Sequence, residues 1–130
     1  MSIRHLLLDS HVFLWWIKDH SRLGSKTRSL IANPENVVYV SAASILEIAI
    51  KKRLGKLNAP DGLSSILEEE GFTPLPIQPY HGELSGPLPM IHKDPFDRLL
   101  VAQAIADGLE LVSVDSVFPR YHVRLVNAEE

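Results

Sequence analysis

Four acidic side chains stand where a fold of alternating strands and helices would collect them. Asp9 ends an apolar run, Glu47 lies in a helical stretch after a β-branched run, Asp97 opens another helical stretch, and Asp115 ends a later apolar run. Carboxylates brought to one edge would repel each other strongly unless a hard cation bound between them. The acids therefore predict a site for a divalent metal ion with oxygen ligands.

Each acid also has a purely structural interpretation. Asp9 or Ser10 is suited to cap the helix that follows, since both residue types accept N–H groups at helix starts. Glu47 precedes Lys51 by four residues, the order that favours an ion pair on a helix surface. The neighbours of Glu47 are apolar, however, so we expect its carboxylate to be partly buried and to need a partner.

The later acids have structural interpretations too. The run Asp94-Pro95-Phe96-Asp97 is a good helix start by itself, with Asp94 as the N-cap and a proline in the first turn. Asp115 followed by a serine is typical of a turn. Each signal is weak alone, and the joint placement of the acids carries the metal-site prediction.

The elements that must position these acids alternate along the chain. Short apolar or β-branched runs predict strands, and helical spacing with capping residues or glycine stops predicts helices. The predicted strands cover residues 3–9, 37–41, 72–77, 109–114 and 123–126. The predicted helices cover residues 10–18, 25–32, 42–57, 63–70 and 96–107.

Several local features refine these elements. The helix 42–57 is the strongest prediction because its leucines and isoleucine repeat at helical spacing. Ser25 is the expected cap of the helix 25–32. Two prolines restrict 72–77 to a sheet edge or an irregular connection. The segment 78–95 is rich in Pro, Gly and His and is predicted to be a mobile loop.

The alternation of strand and helix predicts an α/β fold, a three-layer α/β/α sandwich around a central, mostly parallel sheet. The chain of 130 residues, 45% of them hydrophobic, suits a single domain over residues 1–130. In such sheets, sites form at the carboxyl ends of the strands.

Composition excludes several kinds of chemistry. Cysteine is absent, which excludes disulfides, zinc–thiolate sites and thiol nucleophiles. The first apolar run is interrupted by Asp9 and is far too short for a signal peptide or a membrane span, so we expect a soluble cytoplasmic protein. A net charge of −3 argues against binding a polyanion through charge alone. Divalent ions on clustered carboxylates would reverse the local field, however.

Four stretches are specific when taken together: LLLDSHVFLW at 6–15, VSAASILEIAIKKRLGKL at 40–57, HKDPFDRLLVAQA at 92–104 and LVSVDSVF at 111–118. In this order they resemble the PIN-domain family, and in particular its VapC-like ribonucleases from type II toxin–antitoxin systems. By this resemblance, the catalytic and metal-binding acids are Asp9, Glu47, Asp97 and Asp115.

The resemblance also suggests roles for neighbouring residues. Ser113 matches a hydroxyl position that supports the site, and Ser10 stands where threonine is commoner. Asp94 falls in the signature Asp-Pro-Phe-Asp-Arg of one branch of these toxins, where it is either an auxiliary ligand or only the helix cap.

The implied activity is that of a metal-dependent endoribonuclease. One or two Mg²⁺ or Mn²⁺ ions on the carboxylates would activate water for in-line attack on a phosphodiester and leave 5′-phosphate and 3′-hydroxyl ends. The implied partners are RNA, a cognate antitoxin and a second copy in a homodimer, formed by helices near the N-terminus or by residues 58–72. A basic side chain of the antitoxin is expected to enter the acidic cleft.

Cationic side chains close to the acids are candidates for tracking the RNA backbone. They are Lys51, Lys52, Arg53 and Arg98. A solvated basic helix end, favourable for the helix dipole, is an equally good interpretation of the first three.

The histidines and tryptophans are weaker substrate candidates. His11 and His92 lie close to proposed ligands, but a hydrogen-bonding role is commoner for a single histidine. Trp15 and Trp16 in a helix are more typical of a core or a dimer contact than of base stacking.

Other functions of an α/β domain fit less well. A phosphoacceptor signalling domain would need a doubled acid near the first strand and a lysine beyond a late one, and residues 112–115 contain no lysine. A dehalogenase-like phosphatase would need a second Asp two residues after Asp9, where His11 stands. A non-catalytic RNA-binding module of the same fold remains open, because only an activity assay separates it from the enzyme.

Overall fold

The computed structural model describes residues 3–91 and 94–130. The strands in this part of the chain are β1 (His5–Leu8), β2 (Val37–Ser41), β3 (Thr73–Leu75), β4 (Glu110–Ser113) and β5 (Leu125–Asn127). The helices are α1 (Ser10–Lys18), α2 (Ser25–Ala32), α3 (Ala42–Arg53), α4 (Leu63–Glu69), α5 (Pro79–Ser85) and α6 (Pro95–Asp107), and Phe118–Arg120 forms a 3₁₀ turn.

The strands form one sheet in the order β3-β2-β1-β4-β5, and every neighbouring pair is parallel. Successive side chains of a strand point to opposite faces. Leu6 and Leu8 of β1 accordingly enter one hydrophobic core, and Leu7 enters a second core on the other face of the sheet. The α/β/α fold and the edge position of β3 are confirmed.

The register of the central strands brings two of the predicted acids together. β1 lies between β2 and β4, with Leu8 beside Val112 near their carboxyl ends. Asp9 directly follows β1, and Asp115 comes two residues after β4 ends at Ser113. Because β1 and β4 are parallel, both acids lie at the same edge of the sheet.

The start of α2 differs from the sequence prediction. Gly24, not Ser25, is the N-cap, and it has no side chain to accept a hydrogen bond. The main-chain oxygen of Glu130 instead accepts the N–H groups of Lys26 and Thr27 at 3.0 and 3.2 Å. A Cβ at Gly24 would lie 2.0 Å from that oxygen, so this close approach requires glycine.

Helix α3 is shorter than predicted, and the face that carries its repeat of leucine and isoleucine is not the buried face. It ends at Arg53, and Gly55 follows with a left-handed φ of 72°. Leu46, Ile50 and Leu54 lie on the exposed face, at 52%, 42% and 61% exposure. The inward face carries Ala43, Ser44, Glu47 and Ile48. Glu47 is therefore directed into the protein.

The prediction of a mobile loop over 78–95 is wrong for residues 79–85. Residues 79–85 form α5, whose His81 is fully buried. Its Nε2 lies 3.0 Å from Asp107 Oδ2 at the end of α6, and its Nδ1 accepts the N–H of Gln78 at 2.9 Å. The contact with Asp107 holds α5 against α6, and the one with Gln78 caps the start of α5. His92 lies outside the described residues.

None of the described helices is long and apolar enough to cross a membrane.

Candidate active site

A cavity of about 310 Å³ opens where β1 and β4 end. Its lining includes five carboxylates, those of Asp9, Glu47, Asp94, Asp97 and Asp115. A larger groove of about 660 Å³ beside α4 and β3 is mostly apolar, and Glu68 is the ionisable side chain in its lining. The smaller cavity is therefore the candidate for chemistry.

Asp9 is held at the floor of this acidic cavity with 6% of its surface exposed. Its Oδ1 accepts the N–H of Val12 at 2.8 Å as the N-cap of α1, and its Oδ2 accepts the hydroxyl of Ser113. Burial raises the pKa of Asp9 above its ordinary value, against the lowering effect of these two hydrogen bonds. The capping interpretation of Asp9 is thus confirmed, and it coexists with a place in the cavity.

Ser113 also connects Asp9 to the fourth acid. Its Oγ accepts the N–H of Asp115 at 3.0 Å. Asp115 Oδ1 in turn accepts the N–H of Val117 at 2.9 Å, the turn that its sequence predicts.

Glu47 has both of its carboxylate oxygens engaged. Oε1 accepts the hydroxyl of Ser10, and Oε2 lies 2.7 Å from Lys51 Nζ. Glu47 is 5% exposed, so it is both the ion-pair partner and the buried acid that the sequence predicts. The hydrogen bond to Glu47 raises the pKa of Lys51, desolvation opposes this, and the charges of Asp94 and Asp97 reinforce it.

The start of α6 supplies the remaining carboxylates. Asp94 is the N-cap, with Oδ1 accepting the N–H groups of Phe96 and Asp97 at 2.8 and 3.4 Å. The cap is confirmed, and a ligand role for Asp94 stays a prediction. Asp97 lies in the first turn and lines the same cavity.

Comparison with known proteins now identifies the family, because the PIN domain pattern matches residues 6–123. The chain belongs to the PIN domain family. It is 31% identical over 113 residues to Ribonuclease VapC22 of Mycobacterium tuberculosis, an alignment that covers 85% of this chain and 86% of that protein.

Solved structures share the PIN domain fold at lower sequence identity. VapBC2 from Rickettsia felis, bound to a promoter DNA fragment, has a TM-score of 0.67 and 20% identity, covering 95% of this chain and 98% of that one. DNA-bound VapBC from Salmonella typhimurium has a TM-score of 0.66 and 17% identity, covering 96% and 98%. FitAcB from Neisseria gonorrhoeae has a TM-score of 0.63 and 21% identity, covering 95% and 97%.

The predicted cationic residues on α3 of this PIN domain fall into two groups. Lys51 lines the acidic cavity, whereas Lys52 and Arg53 line a different cavity on another face of α3. Lys52 pairs there with Asp61. A role of Lys52 and Arg53 beside the acids is therefore not supported by their placement.

Arg98 is directed into the protein and is 9% exposed. Its guanidinium donates to main-chain oxygens of the segment that follows α5: to Ser85 at 2.6 Å, to Leu88 at 3.0 Å and to Pro89 at 2.9 Å, with a longer contact to Gly86. These bonds tie residues 85–89 to the start of α6. This placement supports an anchoring role for Arg98, and its contact with RNA stays a prediction.

Sequence reasoning gave no role to Arg22, which also lines the acidic cavity. Its guanidinium carbon lies 4.9 Å from the ring centroid of Trp15, and its Nη2 is 3.3 Å from Glu129 Oε2. His11 and Trp15 line the cavity as well. The connection after α1 gives no local signal for Arg22, because the carboxylate that it pairs with, Glu129, comes from the other end of the chain.

Proposed function

We propose that this PIN domain is a metal-dependent endoribonuclease, the toxin of a bacterial type II toxin–antitoxin pair. The observation that carries the proposal is the convergence on one cavity of carboxylates from separate segments, Asp9, Glu47, Asp97 and Asp115, with Asp94 beside them. The similarity to a protein named Ribonuclease VapC22 supports RNA as the substrate class.

The donor set suits a hard cation. Carboxylate oxygens are the ligands that Mg²⁺ and Mn²⁺ prefer, and Asp9 is buried at a cost in free energy that a cation would offset. Within residues 3–91 and 94–130, no three His, Asp or Glu side chains are arranged to hold one ion together. Binding would therefore require the carboxylates to exchange some of their present partners.

The ion would be held by Asp9, Glu47, Asp97 and Asp115, with Asp94 as a candidate auxiliary ligand. When bound, it supplies polarisation of the phosphodiester and a water molecule of lowered pKa. The expected products carry 5′-phosphate and 3′-hydroxyl ends, since water rather than a ribose hydroxyl attacks.

The chain's own residues orient this machinery. Ser113 and the N–H of Val12 fix both oxygens of Asp9, and Ser10 fixes Oε1 of Glu47. Lys51 and Arg22 supply positive charge in the cavity lining, where an RNA phosphate would enter.

The experiment is cleavage of a defined RNA panel with Mg²⁺, with Mn²⁺ or with EDTA, followed by mapping of the product ends. We expect cutting with either metal, none with EDTA, and 5′-phosphate ends. Cleavage that persists in EDTA contradicts hydrolysis by metal-activated water. Products with 2′,3′-cyclic phosphate ends contradict it as well. RNA binding without cutting under every condition favours the non-catalytic module.

We further propose a cognate antitoxin and a homodimer. VapBC2 and the VapBC of Salmonella typhimurium, which share this fold, were solved in complexes with DNA. An antitoxin for this chain would place a basic side chain among the cavity's carboxylates, and both proteins would act in the cytoplasm. Co-purification with the product of the neighbouring gene tests the antitoxin, and light scattering of the chain alone tests the dimer. If no complex forms, the antitoxin proposal is wrong. If the chain is a monomer in solution, the homodimer proposal is wrong.

A further inference from the structure

Lys51 occupies an unusual place for a lysine on a helix. It lies one turn after Glu47 on α3, with Nζ 2.7 Å from Oε2, and it pairs with a carboxylate whose side chain is only 6% exposed. The same cavity contains Asp9, Asp94 and Asp97. The ammonium therefore lies where the proposed function requires a metal ion to find oxygen ligands.

The oxygens of Glu47 explain why Lys51 matters. The hydroxyl of Ser10 engages Oε1, and Lys51 engages Oε2. Ser10 has a short side chain fixed at the start of α1, whereas the lysine ammonium is carried on a flexible four-carbon stem. An incoming cation would displace the lysine more easily than the serine.

Lys52 provides an internal comparison. The side chains of Lys51 and Lys52 are both 36% exposed, and each pairs with a carboxylate. The partner of Lys52 is the fully exposed Asp61, outside the acidic cavity. The two lysines thus differ in the site they face rather than in their solvent exposure.

We propose that Lys51 is a built-in counter-ion of the acidic cavity, which competes with the divalent cation for Glu47 and, once displaced, contacts a phosphate of the RNA. This inference rests on the proposed function, because it assumes that the carboxylates bind a metal. It assigns to one side chain two opposite effects: Lys51 weakens binding of the cation and strengthens binding of the polyanion.

The test begins with Mn²⁺ titrated calorimetrically into the wild-type protein, Lys51→Met, Lys51→Arg and Lys52→Met, without RNA. Lys51→Met removes the competitor and should bind Mn²⁺ about fivefold more tightly, as expected for loss of one partly exposed ion pair. Lys51→Arg and Lys52→Met should bind it as the wild type does. Circular dichroism checks folding, and Lys51→Gln replaces Lys51→Met if that variant is unfolded.

The second readout is the Michaelis constant for RNA, which should rise in Lys51→Met, rise less in Lys51→Arg because the charge is kept, and stay near the wild-type value in Lys52→Met. Wild-type binding of Mn²⁺ with no tighter binding by Lys51→Met overturns the counter-ion role alone. An unchanged Michaelis constant in Lys51→Met overturns the phosphate contact. A wild-type protein that binds no Mn²⁺ overturns the metal-dependent function, and the inference falls with it.

Discussion

Ser113 donates a hydrogen bond to Asp9 across the β1–β4 pair, although 104 positions separate the two residues in the chain. The same hydroxyl oxygen accepts the N–H of Asp115. One small side chain thus fixes two of the proposed ligands. Because Asp9 and Ser113 are both buried, water cannot readily replace this hydrogen bond if it is lost.

Replacing Ser113 should therefore affect both stability and activity. Ser113→Ala leaves Asp9 Oδ2 without its donor, and we expect the free energy of unfolding to fall by about 1–3 kcal/mol, with slower RNA cleavage. Urea denaturation and cleavage rates measure the two effects. Ser113→Thr keeps the hydroxyl, so it should lose less stability and less activity than Ser113→Ala. Equal losses in the two variants would show that the hydroxyl is not the cause.

Replacing Asp9 should separate activity from stability. Asp9→Asn removes a ligand charge at constant volume, so cleavage of RNA should be lost. Burial raises the pKa of Asp9, which means that its negative charge opposes folding at neutral pH. The amide nitrogen cannot accept the hydroxyl of Ser113, so the lost hydrogen bond and the lost buried charge offset each other. We expect a melting temperature, measured without divalent metal, close to that of the wild type. A variant that still cuts at the wild-type rate, or one that is unfolded, would refute this assignment.

Arg98 should contribute to stability rather than to RNA binding. Arg98→Met leaves the carbonyls of Ser85, Leu88 and Pro89 without this donor, and we expect a loss of about 3 kcal/mol in the free energy of unfolding. Arg98→Lys should restore only part of it, because a single ammonium cannot reproduce the planar fork.

The control for Arg98 is Arg53→Met, at an exposed position of α3 where we expect a change within about 0.5 kcal/mol. Urea denaturation of the three variants gives the comparison. If Arg98→Met were as stable as the wild type but bound RNA poorly, the RNA contact suggested by the sequence would be right and the anchoring role wrong.

The ion pair between Arg4 and Glu110 should make stability depend on pH. Arg4 donates to both oxygens of Glu110 at 2.7 and 3.0 Å, and this hydrogen bonding lowers the pKa of Glu110 below its ordinary 4.5, with burial opposing. The folded state then holds the proton less tightly than the unfolded state. The stabilisation is therefore present above pH 4.5 and is lost as the pH falls through the folded-state value.

Glu110→Gln should accordingly be less stable than the wild type by about 0.5–1 kcal/mol at neutral pH. The difference should shrink in acid. Urea denaturation across this pH range tests the prediction, with Glu35→Gln as the variant of an exposed acid. A difference that does not change with pH would mean that the charge of Glu110 is not responsible.

The amino-acid sequence by itself determined most of the elements, α5 excepted, and the edge at which the acids collect. Helix α1 and strand β2 have the predicted bounds because a capping residue and a β-branched run act through near neighbours. Helix α2 also has its predicted bounds, although the distant Glu130 accepts the N–H groups at its start. Asp9 and Asp115 share an edge because the carboxyl ends of parallel strands meet there.

Only the tertiary structure decided which way the side chains point. A helix repeats the same faces in any fold, and which face is buried depends on what packs against it. Packing therefore separates Lys51 from Lys52 and directs Arg98 inward. Helix α5 forms in a Pro- and Gly-rich segment because residues far along the chain, such as Asp107, hold it in place.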